Sequence, residues 1–167
     1  VGEKSKDWYL DGKCDMYGTD RSGLASNRTT FKDAEWHIVL PEVISKEPLG
    51  PVVKYGDQKW SDIVRWTVYV LFIAEELGIS SDNVDDFVEH KNPAIQRFMG
   101  ERDGKDFPNL GAKMGLRSTW ASDIIREVGN YAEIYERNLG PKTKLGLDRG
   151  LNKLYTDGGL LYAPPLR

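Results

Sequence analysis

Few side chains in this sequence have the type and spacing to do chemistry, and most of them fail a simple test. The acidic pairs Glu75-Glu76 and Asp85-Asp86 are adjacent in the chain. Neighbouring residues on a helix do not face each other, so neither pair can share a proton as a catalytic dyad does. Solvated helix faces are the expectation for both. His37 and His90 are isolated in the sequence and read as structural or solvated. Cys14 is the single cysteine, which excludes an intrachain disulfide and a CxxC zinc site. It reads as a small buried apolar residue, or as half of a disulfide to a cysteine on another piece of chain. There is no GxSxG elbow and no HExxH helix. Gly140-Pro141-Lys142-Thr143-Lys144 lacks the GxxxxGK[ST] spacing of a phosphate loop. Asp20 stands apart: it follows Gly18-Thr19 and precedes Arg21-Ser22-Gly23-Leu24-Ala25, where a carboxylate can N-cap a short helix.

Composition removes further classes. The 167 residues are 40% hydrophobic and 29% charged, enough for one domain-sized core. Net charge is −3, with Lys and Arg scattered among acids, so there is no basic stripe for nucleic acid or an anionic membrane. The most apolar run, Trp66-Thr67-Val68-Tyr69-Val70-Leu71-Phe72-Ile73-Ala74, lies between Arg65 and Glu75-Glu76. A membrane span needs about twenty such residues, so this run reads as a buried helix. The start, Val1-Gly2-Glu3-Lys4, is polar and has no apolar leader core, so the chain is expected to begin after processing or truncation.

The elements that must position Asp20 come early. Residues 3–11 read as the end of a helix stopped by Gly12. Residues 13–17 and 37–40 read as short strands, with a short helix opening after Asp20 between them. Pro41, Pro48 and Pro51 keep the segment carrying Val43-Ile44 and Val52-Val53 extended, as a strand or crossover. From Asp57 the character turns helical. A long helix over 60–77 ends at Gly78, and Ser80 or Ser81 caps a short one ending near Glu89. A third opens at Asn92-Pro93 and stops at Gly100. Residues 101–117 read as a loop, 120–138 as one helix, 148–155 as a last short helix and 158–165 as an extended tail. Most of the five tryptophans fall at helical spacing within apolar runs, which reads as core packing and not as a sugar-binding platform. Two short strands around one helix make no stable sheet alone and leave unpaired edges, so the front of the chain is expected to be completed by something else.

The order of these motifs resembles the periplasmic amino-acid-binding proteins of ABC importers, the bacterial extracellular solute-binding protein family 3. In that family a G-x-x-D-x-x-x-x-D segment closes the second lobe, and Gly12, Asp15 and Asp20 match it. A strand and a return crossover follow, and the stretch from His37-Ile38-Val39-Leu40-Pro41-Glu42 through Ser45-Lys46-Glu47-Pro48-Leu49-Gly50-Pro51-Val52-Val53 is similar nearly word for word. Four later stretches resemble the general L-amino-acid-binding subgroup, which carries an extended helical C terminus. They are Asp62 to Thr67, Ala74 to Ile79, Gly129 to Asn138 and Tyr162 to Arg167. The similarity runs through essentially the whole chain in order. The family's N-terminal α/β stretch and most of its second lobe have no counterpart here. With them go the arginine that grips the ligand carboxylate and the threonine-rich loop beside it.

The resemblance implies an α/β fold: the C-terminal half of a two-lobed, type II periplasmic-binding-protein fold, mostly helical with a few strands. It implies that residues 1–44 end the second, ligand-binding lobe, that 45–53 form a hinge crossover strand, and that 54–167 form the C-terminal helical part of the first lobe. Asp20 matches the position that accepts the ligand ammonium, with Thr19 at the cleft and Arg21 at the rim, while Pro48 and Gly50 shape the hinge. The implied function is capture of L-amino acids between two lobes and delivery to the importer's membrane permease, in the periplasm. No bond is broken, so no enzyme activity, cofactor or metal is expected, and neither nucleic acid nor membrane insertion is involved. The missing N-terminal half, or a second copy, is expected to complete the fold. Two other readings remain open: a non-enzymatic interaction module made by the helical half, and a small enzyme whose site matches no motif above.

Overall fold

A computed structural model of the chain describes residues 2–101 and 110–166. The regular elements among them are helices: α1 (Gly2–Leu10), α2 (Arg21–Arg28), α3 (Gln58–Glu76), α4 (Pro93–Met99), α5 (Leu110–Met114), α6 (Trp120–Val128) and α7 (Tyr131–Asn138). Short 3-10 turns lie at Ala34–Trp36, Val84–Phe87, Gly150–Asn152 and Tyr155–Asp157. Two units emerge: Val1–Leu49 with Leu139–Asp148, and Gly50–Asn138 with Arg149–Arg167.

The apolar run of the sequence becomes α3, the spine of the second unit. The Asp57 carboxylate opens it by accepting the Trp60 N–H at 2.9 Å, which satisfies one of the donors a helix leaves unpaired at its start. Val70, Ile73 and Ala74 recur at helical spacing on its buried face. Gly78 ends it at φ 71°, a left-handed turn that costs glycine little. The Ile79 N–H then reaches back to the Ala74 carbonyl at 2.8 Å and the Gly78 N–H to that of Glu75 at 3.1 Å, a Schellman closure. Ile79 is fully buried beside the helix it closes. The core of this unit joins Val70, Ile73, Ala74 and Ile79 to Val84, Ile95, Phe98 and Met99, and to Trp120, Ala121 and Ile125 of α6. The tail contributes Ala163 and Leu166 to the same core.

Glycines permit the closest approaches in this unit. A Cβ at Gly111 would run into the Arg117 carbonyl and come within 2.7 Å of the Trp120 ring, so α5 sits directly on the turn that precedes α6. Gly100, at φ 74°, ends α4 where a Cβ would collide with the Ser118 backbone. Asn92 opens α4, accepting the Ala94 N–H at 2.9 Å with Pro93 in the first turn.

Several expectations are corrected here. The stretch 120–138 is two helices, because Gly129 (φ 76°, ψ −180°) takes a conformation open to glycine and breaks the run. Asn130 and Glu133 then cap α7 reciprocally: the Glu133 carboxylate accepts the Asn130 N–H at 2.8 Å and Asn130 Oδ1 accepts the Glu133 N–H at 3.0 Å. Residues 110–114 of the expected loop form α5; residues 102–109 of it lie outside the described residues. The last short helix is two separate 3-10 turns.

The expected strands at 13–17, 37–40 and 45–53 do not form. The sole bridge among the described residues is an isolated parallel one between Leu154 and Leu161. A strand exists only by pairing, and none of these segments meets a ladder partner among the described residues. The helical part of the expected fold stands and the few strands do not. Among the described residues of the first unit, Ala25 and Leu147 are the buried apolar ones, a core too small to organise a sheet. An aromatic cluster takes its place, with His37 packed 4.7 Å from the Phe31 ring and 5.4 Å from that of Tyr9.

Candidate functional site

The residues expected at the ligand, Thr19, Asp20 and Arg21, lie together at the start of α2. Asp20 is its N-cap, with φ −59° and ψ 147°, and its Oδ2 accepts the Gly23 N–H at 2.9 Å and the Ser22 hydroxyl at 2.8 Å. The other oxygen, Oδ1, takes a longer bond of 3.2 Å from the Thr19 hydroxyl. Gly23 gives this packing room: a Cβ there would lie 3.0 and 3.2 Å from the two carboxylate oxygens and would press on them. The Ser22 hydroxyl first, and the Gly23 N–H after it, hold the Asp20 carboxyl below its ordinary titration range. Asp20 is therefore an exposed, oriented anion. Each carboxylate oxygen has two lone pairs, so Oδ1 has room for a further N–H donor.

Thr19 thus touches Asp20, while Arg21 is the exposed first residue of α2. Pro48 and Gly50 are exposed within a stretch free of helix, and the boundary between the two units falls between Leu49 and Gly50. A Cβ on Gly50 would meet nothing within 4 Å. Sequence reasoning missed Ser22 and Gly23 as holders of the carboxylate. For Gly23 the signal was present, since the third residue after an N-cap is where a backbone donor to its side chain lies; the Ser22 hydroxyl follows no such rule.

The remaining chemistry-bearing residues are structural. The Tyr9 hydroxyl lies 2.6 Å from His37 Nδ1, and His90 Nδ1 accepts the Asn92 N–H at 3.1 Å. Glu75 is not a solvated helix residue: it forms a two-point ion pair with Arg149, the two side chains 12% and 13% exposed. Asp85 pairs with Arg126 at 2.7 Å, and Glu76 accepts the Tyr155 hydroxyl at 3.3 Å. Cys14 is free and exposed, where the apolar reading placed it inside. Among the tryptophans, Trp120 is buried, but Trp8, Trp36 and Trp60 are at least half exposed, so core packing holds for only part of the set. Among the described residues no three His, Cys, Asp or Glu side chains gather as a metal site, and no helix is long and apolar enough to cross a membrane.

In sequence the chain is similar, over nearly its whole length, to parts of periplasmic amino-acid-binding proteins. It is 52% identical over 160 residues to the general L-amino acid-binding periplasmic protein AapJ of Rhizobium johnstonii, matching 95% of this chain and 46% of the relative. It is 49% identical over 160 residues, 95% of the chain and 46% of the relative, to the glutamate/glutamine/aspartate/asparagine-binding protein BztA of Rhodobacter capsulatus. It is also 49% identical, over 93% of the chain and 45% of the relative, to the putative amino-acid ABC transporter-binding protein YhdW of Escherichia coli K12. The chain spans about half the length of the curated relatives it matches. A solved ABC transporter periplasmic binding protein from Brucella ovis, with glutathione bound, superposes with a TM-score of 0.89 at 43% identity over all of this chain and 51% of that one. The fold is therefore that of about half of a periplasmic binding protein, in a mostly helical portion. No protein-family model matches the sequence. The relatives are named as binding proteins, not as enzymes.

Proposed function

We propose that this chain is the C-terminal half of a periplasmic solute-binding protein of an amino-acid ABC importer, and that it supplies one arm of the grip on the ligand. The observation that carries this reading is the Asp20 carboxylate, ionised, exposed and held by Ser22 and Gly23 with Oδ1 open to a further donor. Burying a zwitterionic amino acid needs an anion for its ammonium and donors for its carboxylate, or the desolvation is not recovered. Asp20 serves the ammonium, Thr19 lines the cleft beside it and Arg21 sits at the rim. The carboxylate donors come from the half of the relatives that this chain does not span.

In this reading residues 1–44 end the ligand-binding lobe, 45–53 cross between lobes, and 54–167 belong to the first lobe. The whole is a type II α/β fold once the missing half pairs with the extended segments. The exposed apolar side chains of that front region, Trp36, Ile38, Val43 and Ile44 among them, support a completing partner, because large apolar residues exposed close together along one stretch, unlike ones scattered singly, mark an interaction surface. Pro48 and Gly50 shape the hinge, and lobe closure traps the ligand for delivery to the permease. No chemical step is required of the protein. The relatives' names support L-amino acids as ligands. Glutathione, bound in the Brucella neighbour, carries the same free α-ammonium and α-carboxylate on its γ-glutamyl end, which suits a grip on that head group.

The test joins this chain to the half of the Rhizobium relative that it does not span and titrates glutamate and glutamine by calorimetry. Asp20→Ala should weaken binding by about a hundredfold or more, since it leaves a charged ammonium without its partner in a closed cleft. Unchanged affinity in that variant refutes the assignment. The unjoined chain should bind these ligands weakly or not at all.

A further inference from the structure

We propose that Ser22 is a positioning residue for the amino-acid grip: with the Gly23 N–H it fixes Oδ2 of Asp20, and so presents Oδ1 to the ligand ammonium. The inference rests on the reading of Asp20 as the ammonium acceptor and deepens it.

Helix capping does not account for Ser22. An N-cap side chain serves the helix by accepting backbone N–H groups of its first turn, and the Gly23 N–H at 2.9 Å meets that need. The Ser22 hydroxyl, at 2.8 Å on the same oxygen, satisfies no orphan backbone donor. Its effect falls on the carboxylate alone. Two donors converging on Oδ2 from different directions stop the carboxylate plane from turning, which one donor cannot do. They also fill the acceptor sites of Oδ2, so that once water is excluded that oxygen needs nothing from the ligand. Oδ1 is left with the longer Thr19 contact of 3.2 Å and is the better acceptor for an incoming ammonium. Gly23 completes the device by leaving space where a Cβ would press on both oxygens.

The experiment compares Ser22→Ala and Ser22→Thr with Asp20→Ala in the joined protein, measuring glutamate affinity from neutral to acid pH and the thermal unfolding midpoint. Ser22→Ala should weaken binding about five- to tenfold, less than the full value of a hydrogen bond to a charged group, because the hydroxyl acts through Asp20 and not on the ligand. It should also move the acid limb of the binding profile to higher pH, because the carboxylate then protonates more easily. Ser22→Thr keeps the hydroxyl and should restore both, with the midpoints of the parent, Ser22→Ala and Ser22→Thr alike, while Asp20→Ala, which loses the N-cap of α2, should melt lower. Carbon-detected titration of the Asp20 carboxyl in this chain alone needs no ligand, and should show a rise in Ser22→Ala that Ser22→Thr reverses. The proposal is overturned if Ser22→Ala leaves affinity, acid limb and carboxyl titration unchanged while Asp20→Ala abolishes binding. It is equally overturned if affinity falls only in step with the unfolding midpoint and Ser22→Thr does not restore it. Undiminished binding by Asp20→Ala would instead remove the ammonium assignment itself.

Discussion

Removing Arg149 should cost this chain a large part of its stability. Its guanidinium donates to both oxygens of Glu75, at 2.5 and 3.0 Å, and through Nε and Nη2 to the Asn152 carbonyl at 3.1 and 2.7 Å. It also lies over the rings of Tyr131 and Tyr135, 5.5 and 6.0 Å from their centroids. Exposed ion pairs contribute about 0.2–1 kcal/mol. With 13% and 12% exposure this pair is near the buried limit, where deleting one partner strands a charge and costs about 3–5 kcal/mol. Taking about 3 kcal/mol for Arg149→Ala, and a urea slope of about 2 kcal/mol/M, the unfolding midpoint should drop by about 1.5 M. Tryptophan fluorescence in urea reads this directly, and an unchanged slope would show that stability alone has moved. Arg149→Lys should recover little, because an ammonium cannot span both carboxylate oxygens and the Asn152 carbonyl. Replacing the pair together, Glu75→Leu with Arg149→Met, should cost less than the two single changes added, with a coupling of about 2 kcal/mol. A loss under about 1 kcal/mol for Arg149→Ala, with additive singles, would show that the pair behaves as a surface contact and that the reasoning from burial is wrong.

Two other outcomes follow from the same geometry. Asn130→Ala removes the cap of α7 and strands the buried Ile79 carbonyl, which accepts from Asn130 Nδ2 at 2.9 Å; about 2–4 kcal/mol should be lost in chemical denaturation, and Asn130→Asp, which keeps only the cap, should fall between. Asp20 makes α2 sensitive to acid in a defined direction. Its folded-state pKa lies below the ordinary value of 3.8, so its capping contribution is present above that value and is lost as pH falls through the lowered one. Chemical shifts of residues 21–28 should therefore stay helical at pH 3.8 and fray only in stronger acid; fraying already well above that pH would contradict the assigned hydrogen bonds.

Local signals carried far where one element sufficed to express them. Asp57, Gly78, Asn92-Pro93 and Gly100 mark helix ends in sequence, and each sits at or beside the end observed, because caps and left-handed glycines act on the nearest turn. Asp20 as an N-cap was legible for the same reason. The strands were not, since 37–40 and 45–53 have strand-like composition but meet no ladder partner among the described residues. The burial of Trp8, Trp36 and Trp60 was misread from helical spacing and apolar neighbours, which report what a side chain prefers and not what lies opposite it.

The sequence by itself determined the helical half, the position of the carboxylate at the head of α2 and the likeness to amino-acid-binding proteins on which the proposed role of that carboxylate rests. Only the tertiary structure decided which acids are buried, and only the built turn showed which side-chain hydroxyls hold the carboxylate. Glu75 and Arg149 are far apart in the chain, and nothing in either residue's neighbours foretells that they meet with most of both side chains shielded from solvent. Ser22 is one more polar residue in sequence until its hydroxyl is seen 2.8 Å from Oδ2 of Asp20. Orientation of this kind depends on where atoms converge in space, and that is fixed by packing between and within elements, not by the order of residues along one of them.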